Sequence, residues 1–256
     1  ASFSPKPSLP QAFVTTDLST RPARTFVPGK KKEETFPEFL TLLNLPSPKI
    51  EETKHGTTGR RLALANWITS PDNPLSTRVI VNRVWQKHFG QGLVTTANDF
   101  GFLGEPPSHP ALLDFLSIYL VENDWKLKSL HRLIMLSDTY GQTARQEPSA
   151  KAVLKDPQNQ LLWRFPPRRL SAEQIRDAML FTSGELKTKS GGNSVDGNSP
   201  HRSVYVKKRR NSPDRILSAF DAPAGFSSSS ERLDTTTSTQ ALLLRNNPWP
   251  HARAQA

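Results

Sequence analysis

Cysteine is absent from this chain of 256 residues, which excludes disulfides, thiolate metal sites, a Cys nucleophile and thioether-attached haem within it. Long apolar runs are missing as well. None approaches the ~18 residues of a membrane span, so any membrane contact would be peripheral. Acidic residues are in deficit: 34 Lys and Arg face 23 Asp and Glu, a net charge of +11 with an isoelectric point near 10.1. Such a surface favours polyanions, whether nucleic acid, acidic glycan, anionic lipid or an acidic protein face, and chooses none of them. Apolar residues are lean too, at 35% with a mean hydropathy of −0.54. Yet 13 Gly and 22 Pro make only about 14% of the chain, short of the ~25–30% typical of non-folding sequences. The length suits one domain, or one domain with a long arm. The sequence opens on Ala1 with no leader pattern and is expected to be a piece of a longer protein.

The charge is unevenly spread. Residues 146–256 hold 17 basic and 10 acidic side chains, whereas 1–59 and 60–145 each have a basic excess of 2. Arg202, Lys207, Lys208, Arg209, Arg210 and Arg215 cluster against Asp214 alone. At the other end, Pro5, Pro7, Pro10, Pro22, Pro28, Pro37, Pro46 and Pro48 leave room for little beyond a helical turn at Phe36–Leu43. Residues 1–57 therefore read as an extended, Pro-rich arm. Phe3, Phe13, Phe26, Phe36 and Phe39 would anchor it to an apolar surface; a mobile linker fits equally well.

From residue 58 the texture is helical, with explicit start signals. Arg60–Thr69 places Leu62, Ala65 and Ile68 on one face. Asn73 with Pro74 is an N-cap followed by Pro at the first helical position, opening a largely apolar helix, Pro74–Phe89, that Gly90 and Gly92 stop. A turn-rich loop over 93–108 leads to a helix from Pro110 to Asn123. A second helix, from Lys126 or Ser129 to Tyr140, completes an αα-hairpin. Ser171-x-x-Gln174 and Thr237-x-x-Gln240 are capping boxes for helices over 171–183 and 237–246. Asp214–Phe220 suits one or two helical turns, Arg202–Lys208 alternates enough for a short strand, and Ser227–Ser230 reads as a mobile run. The fold class is mainly α: an irregular multi-helix domain over 58–247 with a small β-ribbon near 202–208, preceded by the arm and followed by a tail over 248–256.

Several strings recur in a recognisable order: Arg60-Arg61-Leu62-Ala63-Leu64-Ala65, Ser70-Pro71-Asp72-Asn73-Pro74-Leu75, Val81-Asn82-Arg83-Val84-Trp85 through Gly90-Gln91-Gly92, Asn98-Asp99-Phe100-Gly101 and Gly104-Glu105-Pro106-Pro107-Ser108-His109-Pro110. Leu130-His131-Arg132, Arg168-Arg169-Leu170-Ser171, Arg202-Ser203-Val204-Tyr205 and Thr239-Gln240-Ala241-Leu242 follow. Together they resemble the planctomycete cytochrome-c-associated domain of unknown function, over about residues 58–247. The resemblance implies a C-terminal domain of large exported bacterial proteins, in the periplasm or cell envelope. Its partners would be sister domains of the same polypeptide, and haem c, where present, would sit in a separate domain. The family often carries a Cys near Ser227–Ser230; this chain has none.

Six histidines, His55, His88, His109, His131, His201 and His251, are never three or four apart, so no helix presents a two-His metal face and no metal site is expected. The densest candidate constellation is Asn82, Arg83 and His88 with Asn98, Asp99, Glu105 and His109. Asp99, Glu105, His88 and His109 are the candidate acid/base groups, and Asn82, Arg83 and Asn98 the binding groups beside them. Five of these residues also have a structural reading: Asn98 and Asp99 in an Asx turn, His109 as N-cap, Arg83 and Glu105 as an ion pair. Trp67, Trp85, Trp125 and Trp163 read as core or rim residues with the indole N–H on a backbone acceptor. Arg164, Arg168 and Arg169 around Pro166-Pro167 are read first as a solvated loop and second as an anion contact. Phosphate loops, dinucleotide fingerprints, nucleophile elbows and calcium loops are all absent.

Three readings follow, in order. The first is an accessory or interaction module whose basic surface (Arg202, Lys207, Lys208, Arg209, Arg210) docks on an acidic sister domain or an acidic polysaccharide. The second is half of an enzyme acting on carbohydrate, with oxidation as one of its possible reactions. Nucleic-acid binding ranks last, because the second helix of the hairpin offers mainly His131, Arg132 and Asp138 where a recognition helix needs a richer polar face.

Overall fold

The computed structural model describes residues 17, 24–30, 33–46, 49–51, 56–145, 149–188, 191–209, 211–226 and 229–255. Phe3, Phe13, His55, Arg210, Ser227 and Ser228 lie outside the described residues. The chain divides into two compact units, residues 1–78 and 79–256.

In the first unit, β1 (Thr25–Phe26) pairs antiparallel with β2 (Glu34–Thr35), Thr25 opposite Thr35, and each threonine hydroxyl donates to the other's carbonyl. This ribbon is solvent-exposed. A 3-10 turn at Thr41–Leu43 falls within the helical turn read from the sequence. Helix α1 (Arg60–Ile68) begins at Gly59, whose φ of 70° needs glycine and where a Cβ would strike the Glu51 carbonyl. Asp17 accepts from the backbone N–H and hydroxyl of Thr58 at 2.8 and 2.9 Å and pairs with Arg61 at 3.2 Å. Those Thr58 hydrogen bonds lead the causes that hold the Asp17 carboxyl below its ordinary range. Trp67 stacks on Phe39 with ring centroids 4.8 Å apart, but its indole N–H is buried without an acceptor among the described residues. The apolar face expected on α1 is not its buried one: Ala63 is buried, whereas Leu62 and Ile68 are exposed.

Helix α2 (Pro74–Phe89) opens as expected, with the Asn73 carboxamide accepting from the N–H groups of Leu75 and Ser76. In the second unit its residues Val81, Val84, Trp85 and Phe89 recur at helical spacing and are buried. They meet Leu113, Leu116 and Leu120 of α3 (Pro110–Glu122) and Leu130 and Ile134 of α4 (Leu127–Met135). The link between α3 and α4 turns through Asp124 and Trp125, both left-handed (φ 54° and 58°). Helix α4 stops short of Tyr140, because the Ser137 hydroxyl accepts from the Tyr140 N–H and caps a new turn, α5 (Asp138–Gly141). A helix with no counterpart in the sequence reading, α6 (Ala150–Lys155), is capped by Ser149.

A second cluster gathers α7 (Ala172–Thr182), α8 (Arg215–Ala219), α9 (Ser238–Asn246) and α10 (Pro248–Ala254). Both capping boxes form, on α7 and α9. Residues 248–254, read as tail, are helical, and Trp249 joins the small core of Ala172, Ile216 and Phe220. Prolines at 248 and 250 occupy the first turn, where N–H groups need no helical partner. The ribbon expected near 202–208 is replaced by a 3-10 turn, Ser203–Tyr205, flanked by isolated bridges pairing Lys187 with His201 and Val195 with Val206. Alternation alone does not make a strand where no neighbouring strand offers a ladder. Ser230, in the run read as mobile, has its carbonyl engaged by the buried Gln86 side chain.

Candidate functional site

The α2 residues and the loop after them form a self-clamped structure. Asn82 is fully buried, donates to the Val94 carbonyl at 2.9 Å and accepts from the Val94 N–H at 2.8 Å. Gly92 makes this possible, since a Cβ there would lie 2.6 Å from the Val94 oxygen and 2.7 Å from the Asn82 amide. Thr96 donates to the Asp99 carbonyl and accepts from the Glu105 N–H, while the Asp99 carboxylate accepts from the Gly101 N–H in an Asx turn. Arg83 pairs with the Asn98 side chain at 2.5 Å, not with Glu105. Glu105 is exposed. His109 stands at the N-cap of α3 without a side-chain capping bond, its ring 3.0 Å from the Ser108 hydroxyl.

His88 points elsewhere. Its Nε2 lies 2.7 Å from Nδ1 of His131 on α4, so one imidazole donates and the other accepts, and its ring meets Tyr140 edge-on. Burial, then His131, then Arg168 push the His88 pKa down, keeping a neutral ring favoured. The two histidines are 43 residues apart, too far for local spacing to reveal the pair. Among the described residues no hydrogen bond or ion pair joins any two of Asp99, Glu105, His88 and His109. The same residues contain no group of three potential metal ligands.

The basic segment is exposed and thinly neutralised. Arg202 lies 3.8 Å from Asp177, while Lys207 and Arg209 share Asp196 at 3.6 and 3.8 Å. Lys207, Lys208 and Arg209 border an open cleft of ≈ 450 Å³ with Gly192, Ser194 and Tyr205.

Two arginines absent from the sequence reading's site organise the C-terminal helices. Arg176 is fully buried and donates to the carbonyls of Gly197, Ser199 and His201 and to the Ser203 hydroxyl, at 2.6 to 3.1 Å. Its position was detectable: Ala172, Arg176 and Leu180 sit four apart on the buried stripe of α7. Arg169, read as part of a solvated loop, is half-buried; it pairs with Asp221 at 2.7 Å and donates to Thr235 and Gln240. Burial would raise the Asp221 pKa, but hydrogen bonds from Thr235 and Arg169 outweigh it and hold the carboxyl low.

A family model for proteins of unknown function, PSD1 (DUF1553), matches residues 60–256. The chain belongs to the PSD1 family. The match covers α1 to α10, so the C-terminal helix falls inside the family's extent and the β1–β2 ribbon outside it. No curated protein and no solved structure shows detectable similarity to the chain.

Proposed function

We propose that this chain is a non-catalytic interaction module of a larger exported, cytochrome-c-linked polypeptide, docking through Arg202–Arg209 onto an acidic sister domain or an acidic polysaccharide. The exported and cytochrome-linked context rests on the ordered strings that run from Arg60 to Leu242. The docking role rests on one observation: Lys207, Lys208 and Arg209 border an open cleft, and Lys207 and Arg209 share the Asp196 carboxylate among the described residues. Such a surface attracts polyanions over a distance set by ionic strength. A sulfated polysaccharide titrated at low salt is expected to bind, with affinity falling steeply as salt is added. Reversing Lys207, Lys208 and Arg209 to Glu should abolish binding. Failure to bind either the glycan or the sister domain at low salt would remove this reading.

The enzymatic alternative is favoured by the His88–His131 pair, a neutral imidazole dyad suited to proton transfer. Turnover by the full-length protein that survives alanine at His88, Asp99, Glu105 and His109 would dispose of it.

A further inference from the structure

We infer that the cleft between the loop following α2 and the loop of residues 156–167 binds a carboxylate-bearing sugar, a uronic acid residue, with Arg164 as the carboxylate receptor. The cleft has a volume of ≈ 640 Å³, within the range of small-ligand sites. It lies apart from the basic segment, and the inference stands or falls independently of the docking reading.

The loop presenting Arg164 is heavily constrained. Asn159, itself left-handed at φ 56°, donates to the Arg164 carbonyl at 2.9 Å and accepts from its N–H at 3.2 Å. The buried Asp156 carboxylate accepts from the N–H groups of Gln160 and Leu161, and its carbonyl from the Trp163 indole. The Arg164 guanidinium rests on the Trp163 ring, 4.8 Å from its centroid. Despite this ordering, no hydrogen bond or ion pair to that guanidinium exists among the described residues; its Nε is buried and out of a ligand's reach, which leaves the two terminal NH2 groups as the available fork. A guanidinium held in place on a cleft wall with its donors unspent is a preorganised receptor for a carboxylate, which it matches with two parallel N–H bonds.

The rest of the lining defines the ligand's other features. Pro106, Pro107, Pro166 and Pro167 supply apolar surface suited to the C–H faces of a sugar ring. The side chains of Gln158 and Gln160, joined at 3.1 Å, retain donors and acceptors for hydroxyl groups. Glu105 lines the same cleft; its carboxylate accepts from hydroxyls and repels a second anionic group, so the site favours one carboxylate over a densely sulfated chain.

Calorimetric titration of the whole chain with a digalacturonate, a neutral disaccharide and an acetylated dipeptide with a free carboxylate tests the assignment. The digalacturonate should bind at least about tenfold more tightly than the neutral sugar, the scale of one charge-assisted contact. Arg164→Gln should remove that preference, Arg164→Lys should keep part of it, and reversal of Lys207, Lys208 and Arg209 should leave it intact. Both Arg164 variants should melt like the parent. Equal binding of the neutral sugar, tighter binding of the dipeptide, digalacturonate binding that survives Arg164→Gln, or no binding at millimolar concentration would each overturn the inference.

Discussion

The helices α2 to α4 and the helices α7 to α10 are held together by different means. The first group meets through a continuous apolar core from Val81 to Ile134, with one buried amide, Asn82, tying down the following loop. The second has a smaller buried cluster among the described residues, Ala172, Ile216 and Phe220, and it compensates with guanidinium groups. Arg176 gathers the 197–203 segment, Arg169 joins the ends of α8 and α9, and Trp249 lies between Arg176 and Arg253, whose Cζ atoms sit 5.5 and 3.7 Å from its ring. Apolar contacts are numerous and individually replaceable, whereas one buried cation serves several acceptors at once. A lean sequence can thus still order a helical domain, at the cost of concentrating stability in a few residues.

The largest expected effect breaks the comparison on its polar side. Arg176→Leu should destabilise the protein by about 3–5 kcal/mol, because three carbonyls and a hydroxyl lose a shared donor in the interior. Denaturant unfolding followed by far-UV circular dichroism measures it. A loss below about 1 kcal/mol would mean the segment re-satisfies its carbonyls with water. Next, Asn82→Ala should cost about 2–4 kcal/mol, since both polar groups of Val94 are left unpaired within an apolar shell. Hydrogen exchange should speed at the Val94 amide while Arg176-linked amides stay protected.

The smallest effect separates the two regions by pH. The folded pKa of His88 lies below the ordinary 6.5, so the unfolded chain binds more protons as pH falls past that value. Stability should therefore decline below about pH 6.5 and level off once pH passes the folded value. His88→Gln should flatten that decline. Asp221 is also held below its ordinary value, 3.8, so its contribution persists through the histidine window and is lost only as pH falls below that value toward the folded pKa. Asp17 is held low in the same way, so Asp221→Asn should shrink the acid step without removing it, and melting temperatures across pH 3 to 8 that neither His88→Gln nor Asp221→Asn alters would refute the assignment.

Local chemistry was readable wherever the partner lies within a turn. Asn73, Ser171 with Gln174, and Thr237 with Gln240 cap their helices as their spacing requires, and Asp99 makes its turn. Readings failed where two local options were close in energy. Ser137 continues or restarts a helix with little difference in propensity, and the Val204–Val206 alternation meets a single isolated bridge, Val206 to Val195, in place of a ladder among the described residues. The partners of the candidate-site residues were hidden for another reason: Asn82, Arg83 and Asn98 take part in loop clamps, while His88 meets a partner 43 residues away.

Sequence alone was sufficient for the absence of thiol chemistry, the mainly helical class, the starts of α1, α2, α3, α7 and α9 and the C-terminal weight of positive charge, because these depend on composition and on contacts within one turn. Tertiary structure decided what the charges do. It buried Arg176, pinned Arg169 to Asp221, left Arg164 without an acceptor among the described residues and left Lys207 to Arg209 facing solvent. The same side chain is a structural brace when its hydrogen bonds are spent inside and a receptor when they are not, and only the positions of distant carbonyls and carboxylates distinguish the two.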